Sequence, residues 1–318
     1  MYLDRRRLLA GTVAGVAGLS LGLSPSLAKT LPTANPKSQG FDPERLKRIG
    51  VAMQRRIDAN EAPGFLTAIM RDNKIVHFDA RGYRNIESKT PLTRDTIFRI
   101  MSMTKPIVSV AAMMLVEENK LRLTDPVAKY IPSFAKPQVY VSGEGDSMVT
   151  APAKRQVQVR NLLMHTSGYS YGVFSNTPVD KLHFARKVYV PYYKSLAEFA
   201  DAAAALPLLF EPGTNWQYGI STDILGYVVE LAAGMPLADV LRTRIFEPLG
   251  MTETGFTLPR EKLPRFITPY KKNADGKLEP APPFMKDEYL DPAAPPSGGG
   301  GLVSTADDYL RFAAMLCN

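Results

Sequence analysis

Three Ser-x-x-Lys tetrads could carry chemistry, because a serine hydroxyl and a lysine amine three residues apart meet on one face of a helix. They begin at Ser26, Ser102 and Ser133. The first lies in the N-terminal segment, and a proline directly after the third favours a turn there. The tetrad from Ser102 to Lys105 instead opens a long apolar run, residues 107–116, which predicts a buried helix.

The chemistry predicted for this tetrad is nucleophilic attack by Ser102, with Lys105 accepting the hydroxyl proton. Pro106 is tolerated there, because N–H groups in the first turn have no partner inside the helix. Those N–H groups and the helix dipole favour an oxyanion on an acylated carbonyl. The residues alone leave one alternative open, a serine N-cap followed by a surface lysine.

Composition narrows the class of protein. The chain has 318 residues, of which 45% are hydrophobic and 22% are charged, as in ordinary globular proteins. The single cysteine, Cys317, excludes a disulfide framework and a cysteine-based metal site, and three histidines leave little for a histidine-rich one. The net charge of +8 is spread along the chain without a long basic run, so we expect no nucleic-acid partner.

Residues 1–28 have the pattern of a signal peptide of the twin-arginine type. Arginines at positions 5–7 precede an apolar stretch, and small residues at positions 26 and 28 suit cleavage after position 28. A retained membrane anchor is the alternative, but the apolar run is shorter than the roughly 20 residues that span a bilayer. We therefore expect a periplasmic or secreted protein, without membrane association after cleavage, whose mature chain begins with an extended leader at residues 29–40.

The elements that must position Ser102 suggest an α+β fold. Apolar spacing predicts a helix after Asp42, and two β-rich runs, residues 65–71 and 75–83, predict an antiparallel hairpin. Residues 41–120 are then the N-terminal part of an α/β lobe, and residues 121–296 are a mostly helical lobe with little strand alternation. Residues 297–318 return to the first lobe through a glycine-rich tight turn and a last helix.

The predicted sheet is short of strands. A two-stranded hairpin is only marginally stable alone, and the pattern offers no further strand. The last helix also has no C-cap signal before Asn318. We therefore expect this chain to be the front portion of a longer protein, with the C-terminal strands missing from it.

A second segment, residues 212–230, helps to interpret the tetrad at Ser102. Its sequence, PGTNWQYGISTDILGYVVE, together with the tetrad at Ser102, resembles the serine β-lactamase-like hydrolases, which include class C β-lactamases, serine DD-peptidases and family VIII carboxylesterases. The likeness runs in order through nearly the whole chain from about Phe41, and it implies a β-lactamase/transpeptidase-like fold with an antiparallel sheet flanked by helices. Other matching stretches are residues 98–100, 121–127, 162–168, 245–251 and 299–305.

The resemblance assigns roles to three residues. It implies that Ser102 is the acylated nucleophile, that Lys105 is its proton partner, and that Tyr218 is a second base that protonates the leaving group. A lysine and a tyrosine that share one proton titrate as a coupled pair. This mechanism needs no metal or cofactor. The alternative for Tyr218 is an aromatic core residue.

The sequence departs from the family pattern at two places. The family usually has Tyr-x-Asn or Tyr-x-Ser at the second motif, whereas Ile220 stands here and cannot hydrogen-bond the amide of a β-lactam or peptide. We therefore expect a pocket suited to apolar esters. The third family motif, Lys-Thr-Gly or a variant on a late strand, is absent from the sequence, which we attribute to the same missing C-terminal portion.

A Gly-x-Ser-x-Gly motif at residues 168–172 offers Ser170 as a rival nucleophile. In α/β-hydrolases that motif follows a strand and precedes a helix, with an acid and a histidine later in the chain. Residues 162–165 are not enriched in β-branched side chains, and the only later histidine, His183, comes 13 residues on. We therefore disfavour Ser170, and we expect His165 to stabilise a turn rather than act as a base.

The predicted function is an exported serine hydrolase that cleaves small carboxylic esters through an acyl-Ser102 intermediate. A β-lactamase or a DD- or D-amino-acid peptidase is the enzymatic alternative. The non-enzymatic alternative is a sensor or binding module that is acylated without turnover. The expected partner is a small-molecule ester or β-lactam-like substrate.

Overall fold

The computed structural model of the protein describes residues 31–281 and 288–317. The signal peptide predicted over residues 1–28 lies outside the described residues, so export stays a prediction. The leader predicted as extended contains a 3-10 turn, Pro36–Gln39, which Asn35 caps by accepting a hydrogen bond from the Lys37 N–H.

The bounds of the helices and strands follow in chain order. The helices are α1 (Pro43–Asp58), α2 (Thr104–Glu117), α3 (Val159–Leu163), α4 (Pro178–Arg186), α5 (Leu196–Ala204), α6 (Ser221–Ala233), α7 (Leu237–Leu241), α8 (Glu247–Leu249) and α9 (Ala306–Cys317). The strands are β1 (Gly64–Arg71), β2 (Lys74–Asn85), β3 (Thr90–Pro91), β4 (Phe98–Arg99), β5 (Gln138–Ser142), β6 (Val149–Pro152), β7 (Tyr270–Lys272), β8 (Leu278–Pro280) and β9 (Val303–Ser304).

The described chain forms two compact units. The first holds residues 31–99, 246–281 and 303–317, and the second holds residues 100–245 and 288–302. The changes between them fall at other positions than the boundaries predicted at residues 120 and 296. The reason is that α2 packs against α6 and therefore groups with the helical part of the chain.

The first unit contains the predicted helix and hairpin, and both are confirmed. Asp42 caps α1 by accepting a hydrogen bond from the Glu44 N–H at 2.9 Å. Strands β1 and β2 pair antiparallel, with Thr67 opposite Asp79. The inference that no further strand is left is wrong, because β3 adds to β2 and β4 pairs with β9. These strands are two residues long, too short for an alternating pattern to reveal them.

Residues 121–296 also carry more strand than the sequence predicts. Strands β5 and β6 form one antiparallel hairpin in the second unit, and β7 and β8 form another in the first. All four residues of β6 are exposed. A strand without a buried face has no alternation of apolar and polar residues, so its sequence gives no strand signal.

The core of the second unit lies between α2 and α6. Ile107, Val108 and Leu115 of α2 and Ile224 and Val228 of α6 are fully buried. The predicted burial of α2 on every side is wrong along one stripe, since Pro106 and Met113 are exposed. None of the described helices is by itself long and apolar enough to cross a membrane, and α6 followed by Leu237–Leu249 passes that test only as a pair bent by 80°.

A buried polar network closes the 168–180 segment of the second unit. Ser170, Ser175 and Thr177 all donate hydroxyl hydrogen bonds to the Asp180 carboxylate. Burial alone would raise the pKa of Asp180, but these hydrogen bonds outweigh it and lower the pKa. Beside it, His183 is buried, and its Nε2 lies 2.9 Å from the Val188 carbonyl oxygen. Burial lowers the pKa of His183 to about 4.

Because burial lowers the pKa of His183, we expect the folded protein to lose stability in acid. The unfolded chain binds a proton at this histidine below pH of about 6.5, whereas the folded chain does so only near pH 4. The contribution of neutral His183 to folding stability is therefore fully present above pH 6.5 and is lost as the pH falls toward 4. We expect His183→Gln to remove about 2 kcal/mol of the difference in unfolding free energy between pH 7 and pH 5. Urea unfolding at the two pH values measures it, and an unchanged difference in the variant contradicts the assignment.

Candidate active site

Ser102 lies on a short 3-10 turn, Met101–Met103, that leads directly into α2. The helix therefore begins two residues later than predicted, and Ser102 stands exposed just before it. Two hydrogen bonds fix this turn against the 297–302 segment. The Ile100 N–H donates to the Leu302 carbonyl at 3.0 Å, and the Leu302 N–H donates to Thr104 Oγ1 at 3.2 Å.

Lys105 occupies the first turn of α2 and is 9% exposed. Its Nζ donates to Ser102 Oγ at 3.2 Å, to Tyr171 Oη at 3.2 Å and to the Gly299 carbonyl oxygen at 2.6 Å. A protonated lysine amine has three N–H donors, so each finds an acceptor in the protein. This burial excludes the alternative in which Lys105 is a surface residue.

Tyr218 reaches the same hydroxyl from another part of the chain. Its Oη lies 2.5 Å from Ser102 Oγ, and Lys105 Nζ lies 4.7 Å from the centre of its ring. Gly219 makes this placement possible, because a Cβ there would lie 2.1 Å from the Tyr169 carbonyl oxygen. The structure thus brings the three predicted side chains together, and their catalytic roles stay a prediction.

Tyr171 is a site residue that the sequence reasoning missed. Its Oη lies 3.2 Å from Lys105 Nζ and donates to Asp223 Oδ2 at 3.3 Å. Burial, with a further contribution from the Asp223 charge, raises the pKa of Tyr171 well above its usual value. It is therefore a protonated phenol near neutral pH. It lies in the Gly-x-Ser-x-Gly motif directly after Ser170, and that motif gives no sign that its fourth residue contacts a lysine.

Asp223, in the first turn of α6, is the second missed residue. Its Oδ1 accepts hydrogen bonds from Ser297 Oγ at 2.6 Å and from the Gly299 N–H at 2.8 Å. Burial raises its pKa, against these hydrogen bonds and the nearby Lys105 charge, which lower it. An acid in a helix's first turn is usually explained by the helix dipole. A signal was present, since this acid lies only five residues after Tyr218 and directly before the apolar stretch Ile224–Leu225.

Two glycines bring the 297–300 segment against α6. A Cβ on Gly226 would lie 3.4 Å from the Gly298 Cα, and a Cβ on Gly298 would lie 2.7 Å from the Thr222 carbonyl oxygen. The 2.7 Å contact is too short for a real Cβ, so the close approach requires a glycine at position 298, whereas the contact at position 226 is tight but tolerable. The predicted tight turn at residues 298–301 is confirmed, and this contact places Gly299 between Asp223 and Lys105.

The rival nucleophile and its histidine do not form a catalytic pair. Ser170 is 2% exposed and donates to Asp180 instead. His165 lies against the Tyr218 ring at 4.9 Å between centroids, and its Nδ1 accepts a long hydrogen bond, 3.4 Å, from the Gly219 N–H. Burial, then the Lys105 charge, lowers the pKa of His165 to about 4. It is therefore neutral at pH 7 and suited to the structural role that was predicted.

Ile220 contributes to the core rather than to the open surface around Ser102. Its side chain is 1% exposed, at the residue before α6. A side chain this buried presents no group at the surface, and the expected preference for apolar esters stays a prediction. The two residues on either side of Ser102 in the chain, Met101 and Met103, present apolar side chains that are each more than 40% exposed.

Comparisons with known proteins show the family of the chain. A family model described as Beta-lactamase matches residues 52–317. The chain is 36% identical over 259 residues to protein Rv1367c of Mycobacterium tuberculosis, covering 81% of this chain and 63% of that protein, so it spans under two thirds of this relative's length. It is 31% identical to esterase EstB of Burkholderia gladioli, over 89% of this chain and 73% of that one.

A solved structure supports the same likeness. EstCE1, described as a hydrolase with promiscuous acyltransferase activity, superposes with a TM-score of 0.72 at 30% identity. The match covers 84% of this chain and 71% of that chain. The predicted α+β fold is confirmed by this neighbour.

Substitution of the two phenols should separate their roles. Tyr218→Phe removes the group that contacts Ser102 Oγ, so we expect kcat to fall by roughly 10²–10⁴. Tyr171→Phe removes the contacts to the Lys105 amine and to the Asp223 carboxylate but none to Ser102 Oγ, so we expect a loss of roughly tenfold. Turnover of p-nitrophenyl butyrate measures both, with circular dichroism as the folding control. A Tyr218→Phe enzyme with near wild-type kcat would contradict the assignment.

The packing around Gly299 predicts a second result, on stability. An alanine Cβ at position 299 would lie 2.2 Å from Asp223 Oδ2 and 2.7 Å from Tyr171 Oη. We expect Gly299→Ala to cost about 1–3 kcal/mol through overpacking. Gly300→Ala is the matched control, because the nearest atom to its Cβ lies 3.7 Å away, and we expect a change within about 0.5 kcal/mol. Thermal unfolding compares them, and equal losses would argue against the packed arrangement.

Proposed function

Because the chain belongs to the Beta-lactamase family, we propose that it is a serine hydrolase that cleaves small carboxylic esters through an acyl-Ser102 intermediate. The observation that carries this proposal is the position of Ser102 Oγ, 2.5 Å from Tyr218 Oη and 3.2 Å from Lys105 Nζ. An exposed hydroxyl held between two proton-transfer groups is the arrangement that an activated nucleophile requires.

Acylation follows from these contacts. Ser102 Oγ attacks the ester carbonyl carbon, and its proton passes to whichever of Tyr218 and Lys105 is unprotonated. The negative charge that develops on the carbonyl oxygen lies near the N-terminus of α2, whose dipole stabilises it. When the carbon–oxygen bond to the alcohol breaks, Tyr218 returns the proton to the leaving oxygen. Water then attacks the acyl-serine by the same steps in reverse.

The surroundings of Ser102 favour an apolar acyl group. Met101 and Met103 flank the serine and are 46% and 47% exposed. Position 220 gives no polar group that could hold an acyl-amide side chain, as a β-lactam or a peptide would require. The likeness to an esterase at 31% identity adds support for ester substrates.

Active-site labelling tests the nucleophile. We expect a fluorophosphonate to add one equivalent to the wild-type chain and to leave Ser102→Ala unlabelled, as read by intact mass. Ser133→Ala is the matched control, because Ser133 begins another Ser-x-x-Lys tetrad and is exposed on a 3-10 turn. Its labelling should equal that of the wild type. Labelling that survives in Ser102→Ala overturns the proposal.

Turnover of two substrates tests the reaction class. We expect p-nitrophenyl butyrate to be hydrolysed with a kcat/KM at least about tenfold above that for nitrocefin. Faster nitrocefin turnover would instead assign a β-lactamase. Stoichiometric labelling of Ser102 with no turnover of either substrate would assign an acylated sensor.

A further inference from the structure

Two aromatic side chains beside Tyr218 are unusually exposed. The Phe174 side chain is 68% exposed and the Trp216 side chain is 61% exposed. Scattered apolar residues on a surface need no explanation, but a cluster of large exposed rings at a site marks a binding surface. These two rings have no role in the proton transfers described above.

Both rings are held in place by the site itself. The Phe174 ring centre lies 5.6 Å from that of Tyr218 and 5.7 Å from that of Tyr171, the second contact being edge-to-face. The Trp216 ring stacks on Tyr218 at 6.4 Å and meets His165 edge-to-face at 6.3 Å. Aromatic contacts of this geometry are stabilising, so each ring keeps its position while most of its surface faces solvent.

Their position decides which part of a substrate they can touch. In the proposed mechanism Tyr218 Oη delivers a proton to the leaving oxygen, so the alcohol portion of the ester lies against Tyr218. Phe174 and Trp216 are the exposed rings in contact with that phenol. We propose that they form the binding site for the alcohol portion and that they select esters of aromatic alcohols. This inference rests on the proposed function, which concerns Ser102.

The same site would bind an aromatic alcohol as an acyl acceptor. The alcohol oxygen forms a bond to the acyl carbon while the bond from that carbon to Ser102 Oγ breaks. The alcohol proton passes to the Tyr218–Lys105 pair and from there to Ser102 Oγ. The products are a new ester and the free serine, so the step needs no other reactant. Benzyl alcohol then competes with water for the acyl-enzyme.

Esters that share one acid isolate the alcohol site. With methyl and benzyl butyrate the acyl-enzyme is identical, so differences in kcat/KM report acylation and the alcohol alone. We expect the wild type to prefer the benzyl ester by more than about tenfold, and Phe174→Ala and Trp216→Ala each to reduce that ratio by about fivefold. Trp216→Phe should retain most of the preference because a ring remains.

Phe184→Ala is the control variant. Phe184 is 61% exposed on α4, and no ring contact of the described residues joins it to Tyr218. Its benzyl-to-methyl ratio should equal that of the wild type. The fraction of benzyl butyrate formed from p-nitrophenyl butyrate and benzyl alcohol should fall in Phe174→Ala and not in Phe184→Ala.

The outcomes distinguish the two proposals. If fluorophosphonate fails to label Ser102, the proposed function fails, and the alcohol site fails with it. Suppose instead that Ser102 is labelled and esters turn over. If the benzyl-to-methyl ratio of kcat/KM then equals that of the wild type in all four variants, the alcohol site alone is overturned.

Discussion

The site depends on one constraint, the burial of the Lys105 amine. An amine removed from water needs hydrogen-bond partners for its donors, because an unpaired polar group in the interior costs free energy. Here the partners come from three parts of the chain: the Ser102 hydroxyl one turn earlier, the Tyr171 phenol and the Gly299 carbonyl. Satisfying the hydrogen bonds of this one amine therefore fixes the Ser102 hydroxyl, the loop that carries Tyr171 and the glycine turn together.

The Asp223 carboxyl group is linked to the Lys105 amine through other residues and does not contact it directly. Asp223 holds the Gly299 N–H, while Lys105 holds the carbonyl oxygen of the same residue. Tyr171 forms a second link, with its Oη between the carboxylate and the amine. A direct buried salt bridge would tie up the amine, whereas this spacing leaves one of its N–H groups on Ser102 Oγ. Gly299 can serve both partners only because it has no side chain.

The sequence could predict the parts of the molecule that have long, regular signals. The helix capped by Asp42, the hairpin of β1 and β2, and the apolar run of α2 each have a signal that extends over many residues, and all three lie within about two residues of their expected positions. Two-residue strands such as β4 have no periodicity, and their partners are far away in the chain. The same limit applies to the site. Ser102, Lys105 and Tyr218 came from motifs, whereas Asp223 acquires its partners only when the chain folds.

The turn at Met101 shows why the Ser102 hydroxyl and the Lys105 amine can differ in exposure although only three residues separate them. Within a regular helix, two side chains on the same face would be buried together. Met101 instead adopts a left-handed conformation, with a φ of 45°, which is costly for a residue with a side chain. This conformation places Ser102 on a tight turn before α2, so the hydroxyl is exposed while Lys105, inside the helix, is buried. The backbone strain at Met101 thus accompanies a geometry that exposes the Ser102 hydroxyl to solvent while the Lys105 amine stays out of water.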